Sequence, residues 1–194
     1  LLKLRADINA SAPTPDGKPA YKVSINDMII KAWALALKAL PMANVTWAED
    51  AMLCHEQVDI GVAVSIDGGL ITPIIRNADI KRLSDISNEM KDLAARAKTR
   101  KLKSDEYNGG TTAISNLGMF GVKNFNAIIN PPHATILAVG AGEERGVWEK
   151  GVFVPATLMT VTLSVDHRAV DGALGAETLQ AFRGFIEKPM AMLV

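Results

Sequence analysis

The chain has 194 residues, of which 48% are hydrophobic, and its 21 basic and 21 acidic side chains give a net charge of zero. This length suits one domain that buries most of the surface its unfolded form exposes. The balanced charge argues against a nucleic-acid-binding protein, whose affinity rests on clustered positive charge. Neutrality and a high apolar fraction also suit a subunit that hides surface in an assembly.

The single cysteine, Cys54, cannot form an internal disulfide bond. A reducing compartment is the simpler interpretation, and a catalytic thiol is the alternative. No apolar run approaches the roughly 20 residues that span a bilayer, so we expect no membrane segment. No signal peptide is evident. Three scattered histidines and one cysteine predict no metal site.

The first half of the chain predicts two helices and two hairpins. Residues 1–9 resemble the end of a helix, and residues 11–20 form a loop with three prolines. Ser24 and Asp27 have capping-box spacing and predict a helix to about residue 40, apolar nearly all round and therefore central. A hairpin turns at residues 49–50, and strands 58–66 and 70–76 meet at two glycines.

The second half adds a helix from Ser84 to about residue 100, strands at 111–115 and 135–139, a hairpin turn at 148–152, and a last helix over 172–187. Five basic residues between 96 and 103 are interpreted as a solvated helix end. Strands and helices intermix without regular βαβ alternation. We therefore predict an α/β sandwich with a mixed sheet and helices on one face.

Residues 157–165 alternate strictly between apolar and polar side chains, which predicts one strand with one buried face. If that strand continues, His167 points inward from its end. Asp171 follows four residues later, where a helix pattern begins. An imidazole beside a carboxylate suits acid–base chemistry near neutral pH. Spacing alone favours the alternative, a core histidine and an N-capping aspartate.

Residues 167–172 match the pattern HRxxDG, which resembles the signature of the 2-oxo-acid dehydrogenase acyltransferases. These are the dihydrolipoamide acyltransferase cores, relatives of chloramphenicol acetyltransferase. Further stretches match this family in the same order, at residues 24–27, 69–76, 115–121 and 129–132. Together they cover nearly the whole chain. Residues 115–121 are more similar to the pyruvate (acetyl) branch than to the succinyl or branched-chain branches.

The resemblance implies a chloramphenicol-acetyltransferase-like two-layer sandwich, assembled as homotrimers. It implies transfer of an acetyl group between dihydrolipoamide and coenzyme A, in the structural core of a pyruvate dehydrogenase complex. The alternatives are a branched-chain or succinyl acyltransferase, or a scaffold subunit without catalysis. A scaffold needs neither His167 nor Ser115, so their presence argues against it.

The resemblance also implies roles for single residues. His167 is the base that deprotonates a substrate thiol, and the Ser115 hydroxyl stabilises the tetrahedral oxyanion. Asn116 contacts the pantetheine arm of coenzyme A. Asp171 forms a salt bridge with an arginine of the family's N-terminal strand, which precedes this chain, or else caps a helix. Without the resemblance, Ser115 would be interpreted as ending a strand and hydrogen-bonding the glycine-rich turn after it.

The family places its active site between subunits, with His167 from one chain and Ser115 from its neighbour. Residues 1–194 are expected to be an N-terminally truncated catalytic domain. The lipoyl group, and the domains that bind pyruvate decarboxylase and dihydrolipoamide dehydrogenase, lie upstream in the family. The tail from Met190 to Val194 is expected to dock into a neighbouring trimer and close a cage. The resemblance suggests a bacterial cytoplasm or a mitochondrial matrix, and no role is expected for His55 or His133.

Overall fold

Residues 1–193 are described by a computed structural model, and they form four α-helices and eleven strands. The helices are α1 (Leu2–Ala10), α2 (Ile25–Ala39), α3 (Leu83–Lys98) and α4 (Gly172–Glu187). The strands are β1 (Val45–Ala48), β2 (Ala51–Cys54), β3 (Ile60–Val62), β4 (Val64–Ile66), β5 (Gly69–Ile71), β6 (Ile74–Ile75), β7 (Thr112–Asn116), β8 (Thr135–Val139), β9 (Glu143–Glu149), β10 (Val152–Leu158) and β11 (Val161–Val165). Among residues 1–193, no helix is long and apolar enough to cross a membrane.

The central sheet has five strands in the order β11-β8-β7-β3-β6. β7 runs parallel to both β3 and β8, whereas β11 and β6 pair antiparallel at the two edges. Alternate residues of the inner strands, such as Ile60, Ile114 and Leu137, are buried in one core with the residues of α2, α3 and α4. The predicted mixed sheet with helices on one face is confirmed.

Helix α2 is the centre of the helical layer. Its predicted capping box is present, because the Ser24 hydroxyl accepts from the Asp27 amide at 3.1 Å and the Asp27 carboxylate accepts from the Ser24 amide at 2.7 Å. Trp33 is fully buried, packs edge-on against Phe182 of α4 at 6.1 Å, and donates from its indole nitrogen to the Thr112 hydroxyl. These contacts join α2 to both α4 and the sheet, as its all-round apolar pattern predicted.

Three predicted strands are each broken in two. Residues 58–66 divide into β3, which joins the central sheet, and β4, which pairs with β5 in a separate hairpin. Pro73 separates β5 from β6 and has no N–H for the ladder, although its carbonyl accepts from Val62 at 2.8 Å. The run 157–165 divides between β10 and β11, so its prediction as one strand was wrong. The alternation nevertheless identified the buried side, since Met159 and Leu163 both pack against the core.

The other side of the sheet, next to β8 and β11, is partly covered by the irregular segment 122–132. The Ser164 hydroxyl of β11 donates to the Ala127 carbonyl at 2.7 Å, which ties this segment to the sheet. Gly140 lies where the segment passes closest, and a Cβ there would come within 2.0 Å of the Lys123 carbonyl oxygen. Only glycine permits this approach.

Candidate active site

His167 lies in a turn after the end of β11, and its side chain is exposed. Because β11 ends at Val165, the condition under which His167 would point inward is not met. The last sheet bond is made by the Asp166 amide, which donates to Ala134 at 2.8 Å. The Asp166 carbonyl then accepts from the Val170 amide at 2.9 Å, which turns the chain away from the sheet. His167 is thus presented at the sheet's edge rather than within it.

The two neighbours of His167 are bonded to each other. The Arg168 guanidinium donates from Nε to Asp166 Oδ1 at 2.9 Å and from Nη2 to Asp166 Oδ2 at 2.7 Å. This side-chain hydrogen bonding lowers the pKa of Asp166 below its usual range. The guanidinium carbon also lies 5.5 Å from the ring centroid of Trp47, in a cation–π contact. Asp166 and Arg168 therefore close a bridge around the backbone of His167.

A cavity of about 390 Å³ opens beside His167. Its walls come from the β1–β2 hairpin, the end of segment 122–132 and the turn after β11: Trp47, Ile129, Pro131, Pro132, His133, Val165, Asp166, His167 and Arg168. The cavity combines apolar walls with two imidazoles and one ion pair, which suits a small ligand with both an apolar part and a polar group.

His133 is a feature of this cavity that the sequence did not single out. Its side chain is buried, and its Nε2 lies 3.0 Å from the Gly109 carbonyl oxygen. Because a carbonyl only accepts, Nε2 carries the proton and Nδ1 is left with a lone pair. Within residues 1–193, Nδ1 has no hydrogen-bond partner. Burial lowers the pKa of His133, so its neutral form is favoured.

Ser115 and Asn116 lie at the carboxyl end of β7, and their side chains differ in the hydrogen bonds they make. Asn116 donates from Nδ2 to Asn26 Oδ1 at 2.9 Å and accepts from the Gly118 amide at 2.9 Å. Asn116, not Ser115, therefore makes the bond to the glycine-rich turn. Ser115 is half-buried, and among the described residues its hydroxyl makes no hydrogen bond. That hydroxyl remains available to a ligand.

The sheet register separates Ser115 from His167 within one chain. Ser115 pairs with Ala138 on one side of β8, whereas Val165 pairs with Thr135 on the other side. The two pairs are three residues apart along β8 and two strands apart across the sheet, which corresponds to roughly 14 Å. His167 lies two residues beyond Val165. A single chain therefore does not bring the two side chains together.

Asn116 lines a second, larger groove of about 1120 Å³, between α1, α4 and the β9–β10 hairpin. Met159 and Phe182 contribute to its walls, but His167 does not. The sheet therefore presents one space beside His167 and another beside Asn116, at opposite ends of the strands.

Asp171 is exposed and caps α4, because its Oδ1 accepts from the Leu174 amide at 2.8 Å. Within residues 1–193 it forms no salt bridge. The helix-cap alternative describes its contacts in this chain. Among the same residues, no group of three or more histidine, cysteine or acidic side chains could hold a metal ion.

The arrangement of the sheet and helices is that of an acyltransferase fold. A chloramphenicol acetyltransferase structure superposes with a TM-score of 0.53 at 13% identity, covering 84% of this chain and 77% of that one. The family is more specific than the fold. The model of the catalytic domain of the 2-oxoacid dehydrogenases acyltransferases matches residues 1–194, and the chain belongs to that family.

The relatives that this chain matches are members of the same family. The chain is 66% identical over 194 residues to the dihydrolipoyllysine-residue acetyltransferase component of the pyruvate dehydrogenase complex of Rhizobium meliloti, covering 100% of this chain and 43% of that protein. It therefore spans less than half the length of this curated relative. The cubic core of a pyruvate dehydrogenase multienzyme complex matches with a TM-score of 0.91 at 31% identity, covering 100% of this chain and 79% of that one.

The dihydrolipoamide acetyltransferase of Azotobacter vinelandii matches with a TM-score of 0.92 at 33% identity, covering 100% of this chain and 79% of that one. Its structure was studied for the role of a serine, a histidine and an asparagine in the catalytic mechanism, separated by 52 and then 4 residues. Ser115, His167 and Asp171 have the same separations. The third residue differs, being aspartate here.

Proposed function

We propose that the full-length protein carrying this chain is a dihydrolipoyllysine-residue acetyltransferase. It moves an acetyl group between dihydrolipoamide and coenzyme A, within the core of a pyruvate dehydrogenase complex. The observation that carries the proposal is the placement of Ser115, His167 and Asp171 at the spacing of the three residues studied in the Azotobacter vinelandii enzyme. The 66% identity to the Rhizobium meliloti protein supports the acetyl group rather than another acyl group.

In this mechanism His167 acts as the general base. A neutral imidazole takes the proton from the attacking thiol, whose pKa near 8.5 is close enough for efficient transfer at neutral pH. The resulting thiolate attacks the carbonyl carbon of the acetyl thioester. The tetrahedral intermediate then collapses and expels the other sulfur, which takes the proton back from His167. The same steps run in either direction between the two thiols.

Ser115 acts on the oxyanion of the intermediate. Its hydroxyl, unpartnered within the described chain, donates a hydrogen bond to the oxygen that gains charge, a contribution of about 3 kcal/mol. Because Ser115 and His167 of one chain lie roughly 14 Å or more apart, the serine must come from a second copy. We infer a homotrimer in which each site takes His167 from one protomer and Ser115 from its neighbour.

The two substrates approach the site from the two spaces on the protein. The groove beside Asn116 is proposed for the pantetheine arm of coenzyme A, with Asn116 shaping its wall through the bonds to Asn26 and Gly118. The cavity beside His167 is proposed for dihydrolipoamide carried on a lipoyl domain. Asp171 orients the loop by capping α4.

The C-terminal segment supports assembly beyond the trimer. Met192 is buried against the protein's own core, whereas Met190 and Leu193 are exposed. Val194 lies outside the described residues. We propose that the exposed apolar side chains dock on a neighbouring trimer and close a cage, and that methionine suits such an adaptable contact. Deleting residues 190–194 should leave trimers and abolish cages in sedimentation, and cages that persist would refute this role.

Pyruvate decarboxylase and dihydrolipoamide dehydrogenase are the proposed partners of the full-length protein. The relatives include bacterial proteins and a mitochondrial protein of Arabidopsis thaliana, which fits a bacterial cytoplasm or a mitochondrial matrix.

Two measurements on the full-length protein test the activity. The protein is assayed with free dihydrolipoamide and acetyl-, succinyl- or isobutyryl-coenzyme A, and we expect it to prefer the acetyl thioester. Preference for another acyl group would make the protein a succinyl or branched-chain acyltransferase. No turnover with any of the three would make it a scaffold subunit.

His167→Ala should lower turnover about a hundredfold or more with assembly unchanged. His55→Ala is the matched control, since His55 contacts Thr46 and lines neither space. Normal turnover in His167→Ala would remove the base assignment.

A further inference from the structure

We propose that Arg168, held by Asp166 and Trp47, is a positioning residue that orients His167 and keeps its imidazole available as a base. This inference rests on the proposed function of His167. Within the described residues the imidazole makes no hydrogen bond of its own, so the backbone that carries it sets the space that the ring can reach. The contacts that hold this backbone therefore limit where the imidazole can lie.

The bridge across His167 has three bonds. The Asp166 carboxylate accepts from Arg168 Nε at 2.9 Å, from Arg168 Nη2 at 2.7 Å and from the Arg168 amide at 3.1 Å. A planar guanidinium that meets both carboxylate oxygens gains geometric specificity from its two parallel bonds. Because the paired residues flank His167, the bridge restrains the backbone on both sides of its Cα.

Trp47 anchors this bridge to a distant part of the fold. Its ring lies 5.5 Å from the Arg168 guanidinium carbon. Val45, two residues earlier in β1, is fully buried in a small cluster with Ala134 and Val170, which flank the same loop. The β1–β2 hairpin thus holds the loop from two points, one apolar and one through the cation–π contact.

The bridge also balances charge beside the imidazole. The titratable groups that line this cavity with His167 are Asp166, Arg168 and His133. Arg168 neutralises the Asp166 carboxylate, and His133 is favoured in its neutral form by burial. Without Arg168, the cavity would keep one uncompensated negative charge next to the proposed base. Activity that needs an uncharged base should then be lost at a higher pH.

The test measures kcat, KM and the pH dependence of kcat/KM in the full-length protein. Arg168→Met should lower kcat about tenfold or more with KM changed less than about threefold, since misplacing a reacting group slows the chemical step. The acidic limb of its pH profile should move to higher pH. In the double variant Asp166→Asn with Arg168→Met, the limb should return to its original pH while kcat stays low, which separates charge balance from orientation.

Trp47 provides a second route that does not depend on the folding of the Arg168 variants. Trp47→Phe keeps an aromatic face for the guanidinium and should retain kcat within about twofold. Trp47→Leu removes that face and should lower kcat, as Arg168→Met does. Arg96→Met is the matched control. Arg96 makes a similar fork to Glu106, at 2.6 and 2.7 Å, on the surface of α3, so its loss should leave kcat and the pH profile unchanged.

The outcomes separate this inference from the proposed function. If Arg168→Met and Trp47→Leu both keep the original kcat and pH profile while His167→Ala is inactive, the positioning role is wrong and the base assignment stands. If His167→Ala is active, the proposed function itself fails. A rate loss in Arg96→Met equal to that in Arg168→Met would also contradict a specific positioning role.

Discussion

Ser115, in β7, and His167, in the turn after β11, lie at opposite ends of the central sheet and on the two sides of β8. Ser115 is level with Ala138, and His167 lies two residues past the pair between Val165 and Thr135. Their separation within one chain is too large for a shared reacting atom, which needs both groups within about 3 Å. This relationship makes the proposed acyl transfer a property of the assembly.

The Ser115 hydroxyl is proposed to act in the transition state and not in the fold. Ser115→Ala should therefore lower kcat about a hundredfold, with KM and the sedimentation of the trimer unchanged. Ser84→Ala is the control and should keep full turnover, because the Ser84 hydroxyl hydrogen-bonds only Asp85 among residues 1–193. Loss of trimers in Ser115→Ala would return this residue to a structural role.

Asp171 should contribute to stability through its cap on α4. Asp171→Ala removes the bond to the Leu174 amide and should lower the free energy of unfolding by about 1 kcal/mol, measured by denaturant titration. Asp171→Asn preserves a capping oxygen and should keep both stability and turnover. An asparagine variant that is stable but inactive would show that the negative charge is needed.

The buried His133 should make the fold sensitive to acid. Because burial lowers its pKa in the folded state, the unfolded chain takes up a proton first as the pH falls through about 6.5. Its contribution to stability is therefore full above that pH and decreases below it. His133→Gln should flatten the fall in unfolding free energy between about pH 7.5 and about pH 5.5, one unit either side of 6.5. An equal pH dependence in both proteins would exclude His133 as the cause.

Local features of the fold were predictable from the sequence because nearby residues decide them. The capping box of Ser24 and Asp27 needs only a three-residue spacing, and the alternation of residues 157–165 marked the correct buried side. The HRxxDG pattern indicated the family, whereas the role of His167 stays a prediction. Each of these signals lies within a few consecutive residues.

The surroundings of His167 could not be predicted in the same way. The strand before His167 ends because the Asp166 carbonyl accepts a hydrogen bond from the Val170 amide and not from a neighbouring strand. The alternating pattern of residues 157–165 does not reveal this turn. Trp47 comes to the cavity from more than 100 residues earlier, and His133 comes from the loop before β8. The signal that could have suggested Arg168 was its fixed place in HRxxDG, next to the histidine.

Mixed trimers test the shared site most directly. Ser115→Ala and His167→Ala chains, each inactive alone, are unfolded together in equal amounts, reassembled and assayed for acetyl transfer. If neighbouring protomers supply the two side chains, intact pairs form wherever the chains meet in the right order, and about a quarter of the original activity should return. If each site takes both side chains from one protomer, the mixture will stay as inactive as its two parents, and the account of a site between subunits will be wrong.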